Sequence, residues 1–354
     1  MKVAITGYYG TGSSAVLDLL SEYSCCSEGG LSSYEHVPLY FPDGLFDLEH
    51  KLLYGNDLHR SDEAIKSFRK AMYNLNDTDF GWYGSYKKLY GDKFKNIVDA
   101  FLESITQYTY EGVWYNYYRN SHFELKKFVK DCVKTFLPGK YIVGSFGRTM
   151  PELIEQTMEL SFVSEEFFFK QSRKFIREYC EMINRDNAQI LLLDHLMFPH
   201  NAYKIDRYFD DDFRLIIVER DIRDMFTLCK YVWPRMGIKA PYPVEPEAFL
   251  QLWTNMRAAE RKTDNPHVLR IHFEDLIYKY DESVAKIESF LQMSPEQHVR
   301  KKTRFVPEKS INNTQNFRIQ EEWDKEVKVF SGRTEDMYEF PYERKANIED
   351  TFDN

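Results

Sequence analysis

The first fourteen residues, MKVAITGYYGTGSS, constrain the fold of this chain more than any other stretch. Lys2 to Thr6 make a short apolar run that reads as a buried strand, and Gly7 breaks it. Glycine recurs at Gly10 and Gly12. Ser13-Ser14 then lead into AVLDLLSEY, where Ala15, Val16, Leu19, Leu20 and Tyr23 fall at helical spacing. A strand, a glycine turn and a helix start in this order build an anion site, because backbone N–H groups converge and the helix dipole adds partial positive charge. Gly7, Gly12, Ser13 and Ser14 have the spacing of the phosphate loop G-x-x-x-x-G-K-[ST], with Ser13 in place of the lysine. That lysine reaches the outer phosphates of a triphosphate. Without it ATP or GTP hydrolysis is not expected, whereas a smaller phosphate group still fits. A tight turn without a ligand is the competing reading.

Composition removes several classes. A net charge of −9 over 354 residues argues against wholesale nucleic-acid binding. The five cysteines are odd in number and lack zinc spacing, so they read as reduced thiols of a cytoplasmic protein with no metal site. No stretch approaches the ~18 apolar residues of a membrane span, and the N-terminus lacks a signal-peptide core.

Along the chain, turn signals at Gly29-Gly30, Pro38 and Pro42-Asp43-Gly44 mark a loop that can run back over the carboxyl end of the sheet, where ligands of open α/β folds sit. Glu35 and His36 lie in it, and either suits a general base. Residues 45–137 read as a helical, Tyr-rich insertion, with Ser61 and Ser121 as helix N-caps. The insertion is expected either to shape an acceptor pocket or to be an ordinary packing layer. Lys140 to Ser145 reads as a strand, PELIEQTMELSF and SEEFFFKQSRKFIREYCEMINR as helices, and Gln189 to Leu193 as a buried strand with Asp194-His195 at its end. Arg214 to Val218 is another, followed by the turn Glu219-Arg220-Asp221 and a helix. Arg220 and Arg223 there suit bidentate phosphate binding, unless Asp221 and Asp224 hold them in a structural ion network. Val268 to His272 gives a last strand. Lys309, Ser310, Asn312, Asn313 and Arg318 suit phosphate or ribose contacts, or belong to a plain C-terminal strap. Residues 331–354 are acidic, lack periodicity and are expected to be loosely ordered.

In this order TGYYGTGSSAVLDLL, the strand ending in Asp194-His195, IIVERDIRDMF and IHFEDL resemble the sulfotransferases that use 3′-phosphoadenosine 5′-phosphosulfate (PAPS). The resemblance spans residues 1–35 and about 189–318. It implies an α/β fold with a parallel sheet flanked by helices, the P-loop NTPase-like sulfotransferase fold, as one domain over 1–330 carrying the 45–137 insertion. It further implies a bacterial, carbohydrate-modifying member with a saccharide acceptor, a lipid or small alcohol being the alternative. No metal is expected; the oligomeric state is left open.

The same resemblance gives Tyr8, Tyr9, Gly10, Thr11, Gly12, Ser13 and Ser14 to the 5′-phosphosulfate and Arg220 to the 3′-phosphate. Thr227 would stand in for a serine whose position Leu228 occupies, and Ser310 would add a C-terminal contact. The base is Glu35, similar to that of polysaccharide-modifying members, or His195, similar to that of cytosolic ones; Glu35 fits better. Three departures stand out: Gly10 lies where a loop lysine or arginine is usual, Ile222 replaces a proline, and the C-terminal glycine-rich motif is absent. A kinase or NTPase with an altered loop, and a non-catalytic nucleotide-binding protein, are the rival functions.

Overall fold

The computed structural model describes residues 1–31, 34–115, 153–345 and 347–351. Its centre is a five-stranded, wholly parallel sheet in which Cys26–Ser27, Ile190–Asp194, Lys2–Gly7, Phe213–Glu219 and Val268–His272 lie side by side in that order. The strands are β1 (Lys2–Gly7), β2 (Cys26–Ser27), β5 (Ile190–Asp194), β6 (Phe213–Glu219) and β7 (Val268–His272). A separate antiparallel pair joins β3 (Tyr108–Tyr115) to β4 (Leu153–Leu160).

Alternation along the buried strands divides the core in two. Ala4, Leu191, Leu193, Leu215 and Ile217 face one layer, and Val3, Ile5, Leu192, Ile216 and Val218 face the other. The second layer holds α1 (Ser13–Leu20). The first holds α2 (Leu58–Asp77), α3 (Lys93–Ile105) and α4 (Glu165–Ile183). A third cluster gathers Tyr8, α5 (Ile222–Thr227), α6 (Pro246–Ala259) and Phe330. α7 (Phe273–Tyr278) and α8 (Tyr280–Leu291) complete the α1 side. Both faces of the sheet are thus covered by helices, as parallel strands of continuous apolar sequence require.

Three expectations change. Leu153–Leu160 is a strand, not a helix: Met158 and Leu160 turn inward while Glu159 pairs outward with Arg69, a period of two that only the Tyr108–Tyr115 partner reveals. The first insertion helix begins at Leu58, capped by Asp57, which accepts from the His59 and Arg60 N–H groups; Ser61 lies inside it. The C-terminal stretch 331–345 is irregular but pinned. Ile222 N–H donates to Asp336 O at 2.9 Å and Tyr338 N–H to Asp221 at 2.7 Å. Trp253 also donates to Asp336 at 2.7 Å. The expected strand at 140–145 and the helix around Ser121 lie outside the described residues. Among the described residues no helix is long and apolar enough to cross a membrane, and Cys25, Cys26, Cys180 and Cys229 are free thiols.

Candidate active site

The glycine loop leaves β1 between the ends of β5 and β6, for Ile5 pairs with Asp194 and Gly7 with Val218. Thr11 closes the turn, its N–H and hydroxyl donating to Tyr8 O at 3.0 and 2.9 Å. Gly10 and Gly12 hold φ of +90° and +89°, where a side chain is strained. A Cβ on Gly12 would also lie 2.6 Å from the Phe273 ring, and one on Gly10 3.0 Å from Trp233. No side chain caps α1, so the N–H groups of buried Ser13 and exposed Ser14 at its start are left for an anion, while Ala15 N–H donates to Gly12 O at 3.0 Å. The two tyrosines part company. Tyr8 is buried and donates to Glu260 at 2.8 Å, away from the loop, whereas Tyr9 is half exposed with its ring against Phe198.

Arg220 follows β6 and reaches the loop from the other side. Its Nη1 donates to Gly10 O at 2.7 Å, its Nη2 to Asn313 O, and its guanidinium lies 4.8 Å from the Phe273 ring centre. The fork expected to be free is therefore half engaged. Its Nε is buried and without a partner. An orphaned guanidinium N–H beside an uncapped helix start fits an anionic group such as a nucleotide phosphate, and no neutral ligand would satisfy it as well. Ser310 belongs to the segment that supplies Asn313 and ends a short helix, Pro307–Ser310. Thr227 is corrected: it is fully buried and donates to Arg223 O at 2.8 Å, one turn back, so its hydroxyl is closed to a ligand. Leu228, beside it, packs against Gly10. Arg223 is held by Asp221 at 2.6 Å and by Tyr338 O at 2.8 Å, the structural ion network weighed above.

Three buried carboxyls, Asp221, Asp224 and Glu274, stand at the starts of the helices that follow β6 and β7. Glu274 accepts Asp221 N–H at 2.9 Å, and Asp224 accepts the N–H groups of Gln315 and Asn316 at 2.7 and 2.6 Å. Burial, reinforced by Asp221, pushes Glu274 up to about 8 and also raises Asp224.

Both candidate bases gather at the end of β5. Glu35 forms a bridge with Asp194, and His36 N–H donates to Asp194 O at 2.9 Å, so this segment extends the sheet beyond β2's place. His195 takes φ +52° and donates its N–H to Ile5 O at 2.9 Å. Its Nδ1 lies 2.7 Å from the Asp194 carboxylate, which can only accept, so Nδ1 carries a proton. Burial pulls His195 down, but Asp194 and then Glu35 outweigh it, and its pKa stands above the ordinary value. Burial raises Glu35, with His195 opposing and Asp194 assisting. His36, by contrast, is fully buried against Tyr179 at 2.9 Å and is pushed down to about 4, mainly by burial.

Sequence reasoning missed the wall of this crevice. Rings run in contact from Trp82 through Tyr83, Phe41, Tyr40 and Phe198 to Tyr9, and His195 also meets Phe198 at 6.0 Å. Tyr83 comes from the insertion and Phe198 from beyond β5; nothing in their local pattern separates them from core aromatics. Phe273 and Trp233, which buttress the glycines, were equally silent, although Phe273 directly follows the last strand.

No protein-family model and no curated protein matches the chain. Among solved structures it is similar to the sulfotransferase domain of the Synechococcus PCC 7002 olefin synthase, at 10% identity and TM-score 0.34, over 86% of this chain and 78% of that one. It is similar to the sulfotransferase domain of the curacin biosynthetic pathway at 11% identity and TM-score 0.33, over 84% and 75%. A sulfotransferase from Mycobacterium avium aligns at 10% identity and TM-score 0.34, over 98% and 78%.

Proposed function

We propose that this protein is a cytoplasmic sulfotransferase that moves a sulfuryl group from PAPS to a hydroxyl of a carbohydrate. One contact supports the reading above all: Arg220, the arginine of the second motif, donates to the carbonyl of Gly10 in the first, across 210 residues of sequence. When bound, PAPS supplies an activated sulfuryl group of single negative charge, so the work left to the protein is positioning and electrostatics. The N–H groups of Gly10, Gly12, Ser13 and Ser14 hold the 5′-phosphate, and Arg220 turns its unpartnered Nε to the 3′-phosphate. Glu35 receives the proton of the acceptor hydroxyl. The rings of Tyr9, Tyr40 and Phe198 offer flat apolar surface to the face of a sugar while its hydroxyls meet Glu35. The test is titration calorimetry with 3′-phosphoadenosine 5′-phosphate (PAP), the spent donor. Micromolar binding is expected, at least tenfold weaker in Arg220→Lys, which keeps the charge but not the fork. Absence of binding at millimolar PAP overturns the reading.

A further inference from the structure

We infer that His195, held by Asp194, is the cation that the glycine loop lacks at Gly10, and that Glu35 is therefore the base. The inference rests on the donor reading above. Across the carboxyl end of the sheet the order is Glu35, then Asp194-His195, then the strand that becomes the loop. Glu35 is bridged to Asp194, and His195 is bonded by its N–H to Ile5, two residues before Gly7. His195 thus sits at the strand end between the segment that carries the candidate base and the strand that leads into the phosphate-binding turn. The Phe198 ring is a shared neighbour, its centre 6.0 Å from the rings of His195 and of Tyr9 in the loop.

The imidazole is built in, not incidental. The side chain of His195 is 10% exposed, and its backbone lies in the left-handed region, uncommon for a residue with a side chain, where its N–H meets Ile5 O. The charged groups that face it are carboxylates: Asp194 on its own strand, and Glu35 on the neighbouring segment. Asp194 in turn faces Asp18 on α1 and Tyr40. Two carboxylates about one imidazole favour the imidazolium, in line with its raised pKa. An imidazole already protonated at both nitrogens cannot accept a proton, which leaves that role to Glu35, itself raised by burial.

In the transfer the acceptor oxygen forms a bond to sulfur as the bond between sulfur and the bridging phosphate oxygen breaks. The electron pair of that bond stays on the phosphate oxygen, where His195 offsets the new charge. The acceptor's proton goes to Glu35. Asp194 touches neither reactant; it is a positioning residue that fixes the tautomer and the charge of its neighbour.

The test reads binding and titration rather than turnover. In the full-length protein, His195→Gln weakens PAP about tenfold at pH 6 but leaves adenosine 3′-phosphate, which has no 5′-phosphate, within twofold. His195→Lys restores PAP affinity. NMR titration of the His195 ring shows a proton affinity that falls at least tenfold in Asp194→Asn and rises when PAP binds. Equal PAP affinity in wild type and His195→Gln overturns the inference while leaving the donor reading intact. A His195 that titrates below the ordinary histidine value in the free protein overturns it whether or not PAP binds. Failure of the wild type to bind PAP removes the donor reading, and the inference with it.

Discussion

Glu35 and His195 stand on either side of Asp194, yet burial acts on them in opposite senses. It disfavours ionisation of both, raising the acid and lowering the base, and only the histidine has two carboxylates to reverse the effect. With Glu35 as base, the rate of transfer rises with pH through a value above the ordinary carboxylate range, because the raised group must lose its proton before it can accept one. Glu35→Gln is expected to lower kcat/KM by about 10²–10⁴-fold and to abolish that rising limb, without a comparable loss of PAP affinity. A pH–rate profile of the two proteins checks it, and an unchanged acidic limb in Glu35→Gln would assign the proton to another group. At this scale the sequence was informative about position: Asp194-His195 ends an apolar run and turn signals bring Glu35 back over the sheet, so the place of both residues was legible, though not their role. Nor was that of Thr227, since the same hydroxyl suits a phosphate or the carbonyl one turn back, and only burial decides.

Among the elements, the four longer parallel strands were readable nearly to the residue; the three central ones, buried on both faces, are written as apolar runs, and β7 at the edge is read from its β-branched and apolar residues around Arg270. The β3–β4 pair was not. LIEQTMEL satisfies helical and alternating periods about equally, and the arbiter is a distant partner strand, its pairs running from Tyr115 with Leu153 to Tyr108 with Leu160. Polar hubs were also unreadable. Glu22, fully buried after α1, accepts His298 Nε2 at 2.7 Å and the N–H groups of Lys302, Arg304 and Phe305 at 3.0, 2.8 and 3.0 Å. One carboxylate thereby organises the loop that leads to the Pro307–Ser310 helix. Glu22→Ala leaves these donors unmet in a dry site and is expected to cost about 3 kcal/mol in urea unfolding. A loss under 1 kcal/mol would mean that water readily replaces the carboxylate.

At the scale of the molecule, the buried acids at the helix starts after β6 and β7 set how stability depends on pH. Glu274 is pushed up to about 8 in the native state, mainly by burial, whereas an unfolded glutamate titrates near ~4.3. Between these values the unfolded chain releases a proton that the native protein keeps, so this group's contribution is full below about pH 4 and lost as pH rises through about 8. The slope is on the order of 1 kcal/mol per pH unit. In urea denaturation from pH 5 to 8 the stability of wild type relative to Glu274→Gln should therefore decline, a difference that leaves out the opposite slope of buried His36; a relative stability that rises over this range contradicts the assignment. The pinned C-terminal stretch has a different consequence, one of timing. Asp221, at the turn that carries Arg220, is held by the N–H of Tyr338, 117 residues later. At ~5–20 residues per second, synthesis reaches that partner roughly 6–23 s after Asp221 is made. The nascent chain thus carries Arg220 for many seconds before the clasp on the neighbouring Asp221 exists, and the turn that reaches the glycine loop is among the last parts of the protein to set.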